Sequence, residues 1–266
     1  MGAWSARWVV AILLTGVTVA GCGQPTEKGA DREVRVAAAA DLKFALDAAV
    51  AEFITKHPGV KLSITYGSSG TLYAQLTNEA PFDLFLSADI EYPRQLVEQG
   101  RARKDSEFLY AVGHLVLWAP NDSTLDLDRL GIRAVTDPSV KKVAIANPRT
   151  APYGRAAEAA LKHLQVYDAV KDRLVFGENV AQTAQFVETG AADLGLVALS
   201  LALSPNLRDK GRYWPVPLDA YPRLEQGGVI LAGARDAAAA EAVRAFLTGT
   251  EGRAILKRYG FTLPGE

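Results

Sequence analysis

Two periods of hydrophobicity alternate along this chain. Val34–Ala39 is a short apolar run ending in small residues, and behind it Leu42, Ala45, Leu46, Ala49, Val50 and Phe53 recur at three- and four-residue spacing. That spacing marks one buried face of a helix. Asp41 stands where this helix opens, a residue type whose carboxylate accepts an orphan N–H. His57-Pro58-Gly59 ends the helix. Lys61–Tyr66 then alternates as a strand does, and Ser69–Asn78 carries Leu72, Tyr73 and Leu76 on one side of a helix. Asp83–Ser87 is a third strand and Ile90–Gln99 a third helix. Strand and helix in strict alternation predict a parallel sheet with helices on both faces.

The pattern then repeats. Ala111–Trp118 reads as one strand, followed by the polar Pro120-Asn121-Asp122-Ser123. Beyond it come strand Val143–Ala146, helix Gly154–Leu164, strand Arg173–Phe176, helix Val180–Glu188 and strand Leu194–Ala198. Val229–Ala232 is a late strand, and helices around Ala238–Leu247 and Glu251–Tyr259 close the chain. The prediction is an α/β protein of two lobes: residues 34–112 with 233–266 form the first, and 113–232, hinge strands included, the second. The chain crosses near Tyr110–Pro120 and returns near Gly227–Gly233. Two crossings place a ligand cleft between the lobes, at the carboxyl ends of both sheets.

Composition mainly excludes. Lys+Arg 29 against Asp+Glu 30 gives a net charge of -1, with no basic excess for a nucleic-acid partner. His57, His114 and His163 lie far apart, and no His/Cys spacing of a metal site is present, so neither a cation site nor a cofactor is expected. Arg7 precedes an apolar stretch, Trp8–Ala20, too short for a stable membrane span and of signal-peptide length. It ends in Val19-Ala20-Gly21-Cys22, which resembles the lipobox of bacterial lipoproteins and implies removal of residues 1–21 and acylation of Cys22. Residues 22–33 then read as the lipidated cysteine and a polar tether. The expectation is an exported monomer, periplasmic or at the cell surface, held to a membrane through Cys22. With a single cysteine it forms no internal disulfide.

Four strand-to-helix junctions carry the candidate chemistry: Ala37-Ala38-Ala39-Ala40-Asp41-Leu42, Gly67-Ser68-Ser69-Gly70-Thr71, Ala151-Pro152-Tyr153-Gly154 and Glu178-Asn179-Val180-Ala181-Gln182. A helix start offers unpaired N–H groups and the positive end of its dipole, so it favours an anion. The first two turns hold no Lys or Arg, which points to a small oxyanion held by neutral donors. Gly67 and Gly70 admit close backbone approach, and Ser68, Ser69 and Thr71 add hydroxyls. Pro152 presets a helix entry behind which Tyr153 offers a phenol, and Val180 offers a main-chain N–H. Each has a plain alternative: a serine-capped turn, a packed aromatic, a core valine.

Together these stretches resemble the periplasmic molybdate-binding proteins of ABC importers. The resemblance rests on Val36–Leu42, Gly67–Gly70, Asp83–Asp89, Ala151–Gly154, Gly190–Gly195 and Arg258–Phe261, in the family's order, and spans Val34 to Pro264. It implies a two-lobe, class II binding-protein fold closing on molybdate or tungstate and serving an ABC-type permease. It places ligand contacts at Asp41, Ser69, Tyr153 and Val180, with Ala40, Ser68, Gly70 and Asn179 as secondary candidates. Many members carry a ligand tyrosine where this chain has Ala198, and Tyr153 of Ala-Pro-Tyr-Gly is expected to stand in for it.

Asp41 departs from the family, which has serine or asparagine there. An ionised carboxylate beside a dianion is repelled by several kcal/mol at an effective dielectric of about 20. Its side chain can turn away as a helix cap, be protonated with ligand bound, or accept a proton from a protonated oxyanion. The first is the expected arrangement. The third suits hydrogen phosphate, so a binding protein for phosphate or sulfate stands as the alternative. A serine hydrolase is the remaining reading, but Gly67-Ser68-Ser69-Gly70 does not meet the nucleophile-elbow pattern.

Overall fold

The computed structural model describes residues 1–2 and 32–266, so Cys22, the apolar leader and most of the tether lie outside the described residues. The chain runs β1 (Arg32–Ala39), α1 (Lys43–Lys56), β2 (Val60–Gly67), α2 (Ser69–Thr77), β3 (Leu84–Ser87), α3 (Glu91–Glu98) and β4 (Phe108–Gly113). It then builds β5 (Leu115–Pro120), α4 (Leu127–Leu130), β6 (Val143–Ala146), α5 (Pro152–His163), α6 (Tyr167–Val170) and β7 (Leu174–Gly177). After these come α7 (Val180–Glu188), β8 (Leu194–Ala198), α8 (Leu199–Ala202) and β9 (Gly211–Pro215). It closes with β10 (Leu224–Ile230), α9 (Ala237–Thr248) and α10 (Thr250–Arg258).

Among the described residues ten strands form two sheets of five on one plan, β2-β1-β3-β10-β4 and β7-β6-β8-β5-β9. In each, three strands are parallel, β1 between β2 and β3 and β6 between β7 and β8. The other two add antiparallel, β10 and β4 in the first sheet, β5 and β9 in the second. The alternation along β1 shows how the first lobe is layered. Val34, Val36 and Ala38 pack with Leu46, Phe53, Val243 and Leu256 of α1, α9 and α10. Ala37 packs on the opposite face with Leu72, Leu76 and Leu96 of α2 and α3. The second lobe has one continuous core around Trp118, and Ala39 and Ala88 of the first lobe join it at the cleft.

Two expectations are corrected. The apolar run Ala111–Trp118 is not one strand: it breaks at His114, and its halves enter different sheets. Val112 exchanges hydrogen bonds with Thr262 of the first lobe (2.7 and 3.1 Å), while the Leu115 N–H donates to the Tyr221 hydroxyl (3.1 Å). The late strand begins at Leu224, earlier than expected, and pairs between β3 and β4. Residues 224–230, assigned from sequence to the second lobe, therefore lie in the first sheet, and the return crossing falls between β9 and β10. Strand β9 and the short helices α4, α6 and α8 had no period long enough to announce them.

Candidate functional site

The carboxyl ends of β1, β2, β6 and β7 all deliver the chain into a helix or turn at one rim, where the two lobes meet. They enclose a cavity of about 10 Å³ lined by Ala39, Ala40, Asp41, Gly67, Ser68, Ser69, Ala88, Ala151, Pro152, Tyr153, Asn179 and Val180. That is room for about one water molecule, and the lining holds no Lys, Arg or His. Among the described residues no group of three or more His, Cys, Asp or Glu side chains could hold a metal ion.

Two of the helix starts leave the same group free. In α2, Ser68 is the N-cap: its Oγ accepts from the Thr71 N–H (3.3 Å) and donates to the Thr71 Oγ1 (2.8 Å). The Gly70 N–H donates to the Thr150 carbonyl of the other lobe (2.9 Å). In α7, the Asn179 Oδ1 accepts from the Ala181 and Gln182 N–H groups, both at 3.0 Å. The second and third amides of both helices are thus committed. The first ones, Ser69 and Val180, have no acceptor within their helices. Both residues are buried, at 1% and 4% exposure, against the cavity. The Ser69 Oγ accepts from the Ala88 N–H (3.0 Å), which leaves its hydroxyl proton to donate.

The structure therefore brings Asp41, Ser69, Tyr153 and Val180 together, with Ala40, Ser68 and Asn179 beside them. The hydroxyl of Ser68 and the carboxamide oxygen of Asn179 are spent as caps. Gly70 stands outside the lining and serves closure instead: a Cβ there would lie 2.5 Å from the Thr150 oxygen. Ala198, where a family tyrosine is missing, is fully buried in β8.

Asp41 contradicts its expected role. It lies in a 3₁₀ turn, Ala40–Leu42, ahead of α1, whose N-cap is Leu42 with no side-chain bond. Its carboxylate is 1% exposed; Oδ2 accepts from Gln226 Nε2 at 2.5 Å and Oδ1 has no partner. Burial pushes its pKa up to about 6, against the opposing pull of the Gln226 amide, the nearby Tyr153 phenol and the amides of its own turn. Tyr153 is 2% exposed, and burial, then the Asp41 charge, raises its phenol pKa well above the ordinary value. Its hydroxyl has room because residue 113 is glycine: a Cβ there would stand 2.2 Å from it.

Gln226, absent from the sequence reading, is fully buried and also contacts the Tyr153 hydroxyl at 3.3 Å. It pairs with Ala111 of β4, and the register breaks just beyond it, where β4 carries Tyr110 as an extra residue between Ala111 and Leu109. The sequence offered little signal: Gln226 stands between Glu225 and Gly227-Gly228, ahead of the apolar run that starts at Val229. Further contacts hold the lobes together. Ser200 Oγ donates to the Asp41 carbonyl (2.7 Å). Arg155 pairs with Asp89 (2.5 Å) and donates to the Tyr92 hydroxyl (3.1 Å).

Two lobes of one topology, joined at two crossings and closed on a cavity walled by helix starts, define a binding protein that shuts on a small ligand. The chain belongs to the bacterial extracellular solute-binding proteins, whose family model matches residues 34–262. Molybdate-binding protein ModA of Azotobacter vinelandii is 39% identical over 231 residues, 87% of this chain and 90% of that one. The protein of the same name from Rhodobacter capsulatus is 38% identical over 212 residues, 80% of this chain and 81% of its own. The solved structure of the Azotobacter vinelandii periplasmic molybdate-binding protein superposes with a TM-score of 0.81 at 34% identity, covering 87% of this chain and 99% of that one.

Proposed function

We propose that this protein captures molybdate or tungstate outside the cytoplasm and delivers it to an ABC-type permease, held at the membrane by a lipid on Cys22. The observation that carries the reading is the cavity itself, where uncommitted amides of Ser69 and Val180 and the hydroxyls of Ser69 and Tyr153 converge from both lobes without a cation. Hydrogen bonds to a charged acceptor contribute about 1.5–3 kcal/mol each. Four of them give about 6–12 kcal/mol toward binding a desolvated dianion, before the cost of closing the lobes. The names of the relatives support molybdate as the anion. A five-atom oxyanion needs more room than about 10 Å³, so its entry parts the lobes and draws Tyr153 away from Asp41. We assign the protein the role of a carrier, not a catalyst.

Calorimetric titration with molybdate, tungstate, sulfate and phosphate tests this. The expected outcome is saturable binding of the first two, which neither sulfate nor phosphate displaces at equal concentration. Absence of both heat and thermal shift with molybdate and tungstate would overturn the proposal.

A further inference from the structure

The donors and acceptors around Asp41 do not balance. Asp41 Oδ1 and Gln226 Oε1 are both buried acceptors with no donor, and leaving such a group unpaired is costly. The Gln226 amide is oriented with Nε2 toward Asp41 and Tyr153, the orientation that a carboxylate requires. Its donors are therefore already spent. The cavity has room for about one donor-bearing molecule such as water. A tetrahedral dianion that enters takes that room and brings only further acceptors. It also draws the Tyr153 hydroxyl toward itself, so Tyr153 does not supply the donor that Oδ1 lacks. The charge balance points the same way, since a dianion beside an ionised Asp41 would put three negative charges in a site without a cation.

We propose that Asp41 and Gln226 act as a specificity-determining pair, through which the cleft takes its oxyanion together with one proton, shared between a ligand oxygen and the Asp41 carboxylate that Gln226 positions. The inference rests on the oxyanion reading above. The proton comes from solvent, no covalent bond is made or broken, and the net charge of carboxylate plus ligand falls from three negative to two. The ligand class is thereby narrowed to tetrahedral oxyanions that can accept a proton in the site.

The groups facing Asp41 leave it as the proton's seat. Tyr153 of α5 and Tyr110 of β4 are the phenols nearest in charge, and both are held neutral by burial and by the Asp41 charge. The Tyr110 hydroxyl is committed to the Ser87 carbonyl at 2.9 Å. Gln226 of β10 and Ser200 of α8 face it uncharged. Tyr221 makes no hydrogen bond to Asp41; its oxygen accepts the Leu115 N–H. No Lys, Arg or His hydrogen-bonds to Asp41 among the described residues. The half-buried His114 instead bonds Thr262 at 2.6 Å.

Calorimetry of the full chain with molybdate, run in two buffers of different ionisation enthalpy, counts the protons taken up. About one proton is expected at pH 8, with affinity falling about tenfold per pH unit above pH 7. The count should shrink toward zero as pH drops below about 6, where Asp41 is protonated before ligand arrives. Asp41→Asn and Asp41→Ser should bind with no uptake and no slope. Gln226→Leu should keep the uptake but move its onset to higher pH, because Gln226 lowers the Asp41 pKa. Tight binding by the parent chain with zero proton count at pH 8 overturns the proposal and leaves the oxyanion reading intact. An undiminished uptake in both Asp41 variants, or an unmoved onset in Gln226→Leu, overturns the assignment of the pair. Absence of binding at every pH removes both readings together.

Discussion

The two lobes share one strand order yet bring different chemistry to the cleft. Each contributes a helix whose cap and closing bonds consume the second and third amides and leave the first, Ser69 in α2 and Val180 in α7. In that respect they are interchangeable. Beside these amides the second lobe adds a neutral phenol, Tyr153, whereas the first adds a buried carboxylate, Asp41. Topology fixes where a helix start points, and so places the amides. It leaves open what the adjoining side chains do, and the lobes have filled that freedom with a neutral donor on one side and an acid on the other.

The carboxylate offers the largest lever on this asymmetry. A carboxyl whose folded pKa is about 6, raised from 3.8, holds its proton in the native state after the unfolded chain has lost it. Stability from this group is therefore greatest below pH 3.8 and declines as pH rises to about 6, by about 3 kcal/mol in all. Asp41→Asn should stabilise the ligand-free protein by about that amount at pH 7–8 and by almost nothing near pH 4. Denaturant midpoints at the two pH values check it; equal gains at both would mean the carboxylate carries no burial penalty.

Next in size are the donors. Proline is tolerated at the first position of a helix, so Val180→Pro deletes one amide with little cost to α7. Molybdate affinity should drop about 10- to 100-fold, the worth of one charge-assisted bond. Tyr153→Phe should lose a similar factor, with the fold intact. If Val180→Pro binds as tightly as the parent, the helix starts do not hold the anion.

The two caps should respond alike despite their different residues. Ser68→Ala and Asn179→Ala are each expected to cost about 1 kcal/mol of stability, read as a lowered Tm. The smallest effect belongs to the clasp outside the cavity. Arg155 and Asp89 are both partly exposed, at 40% and 27%, so Arg155→Ala should weaken closure by less than about 1 kcal/mol. A larger loss in affinity would move part of the closing energy from the cavity to its rim.

What the sequence revealed and what it hid follow one physical division. Helix starts are local: a small-residue turn, a capping hydroxyl or amide and an apolar period behind it lie within a few residues. So Ser69, Tyr153 and Val180 could be picked out, as could Ser68 and Asn179. The crossing at His114 could not, because the end of β4 and the start of β5 are both buried and their apolar runs merge across Gly113-His114. Gln226 could not, because its nearness to Asp41 depends on β10 inserting between β3 and β4, strands more than a hundred residues earlier. The orientation of Asp41 was missed for the same reason. A capping acid and a buried one look alike until the residue arriving from β10 is known.

The place of β10 also bears on how the protein is made. The five strands of the second sheet all lie between Leu115 and Pro215, a single uninterrupted stretch. The first sheet instead receives an inner strand from residues 224–230, and its covering helices α9 and α10 come later still. During synthesis the second lobe can assemble while the first still has a gap between β3 and β4. The facing edges of those strands stay unpaired until the chain has passed Ile230, and one face of the sheet stays uncovered until α9 and α10 follow, which makes the half-built first lobe the stage most exposed to aggregation and to capture by a chaperone.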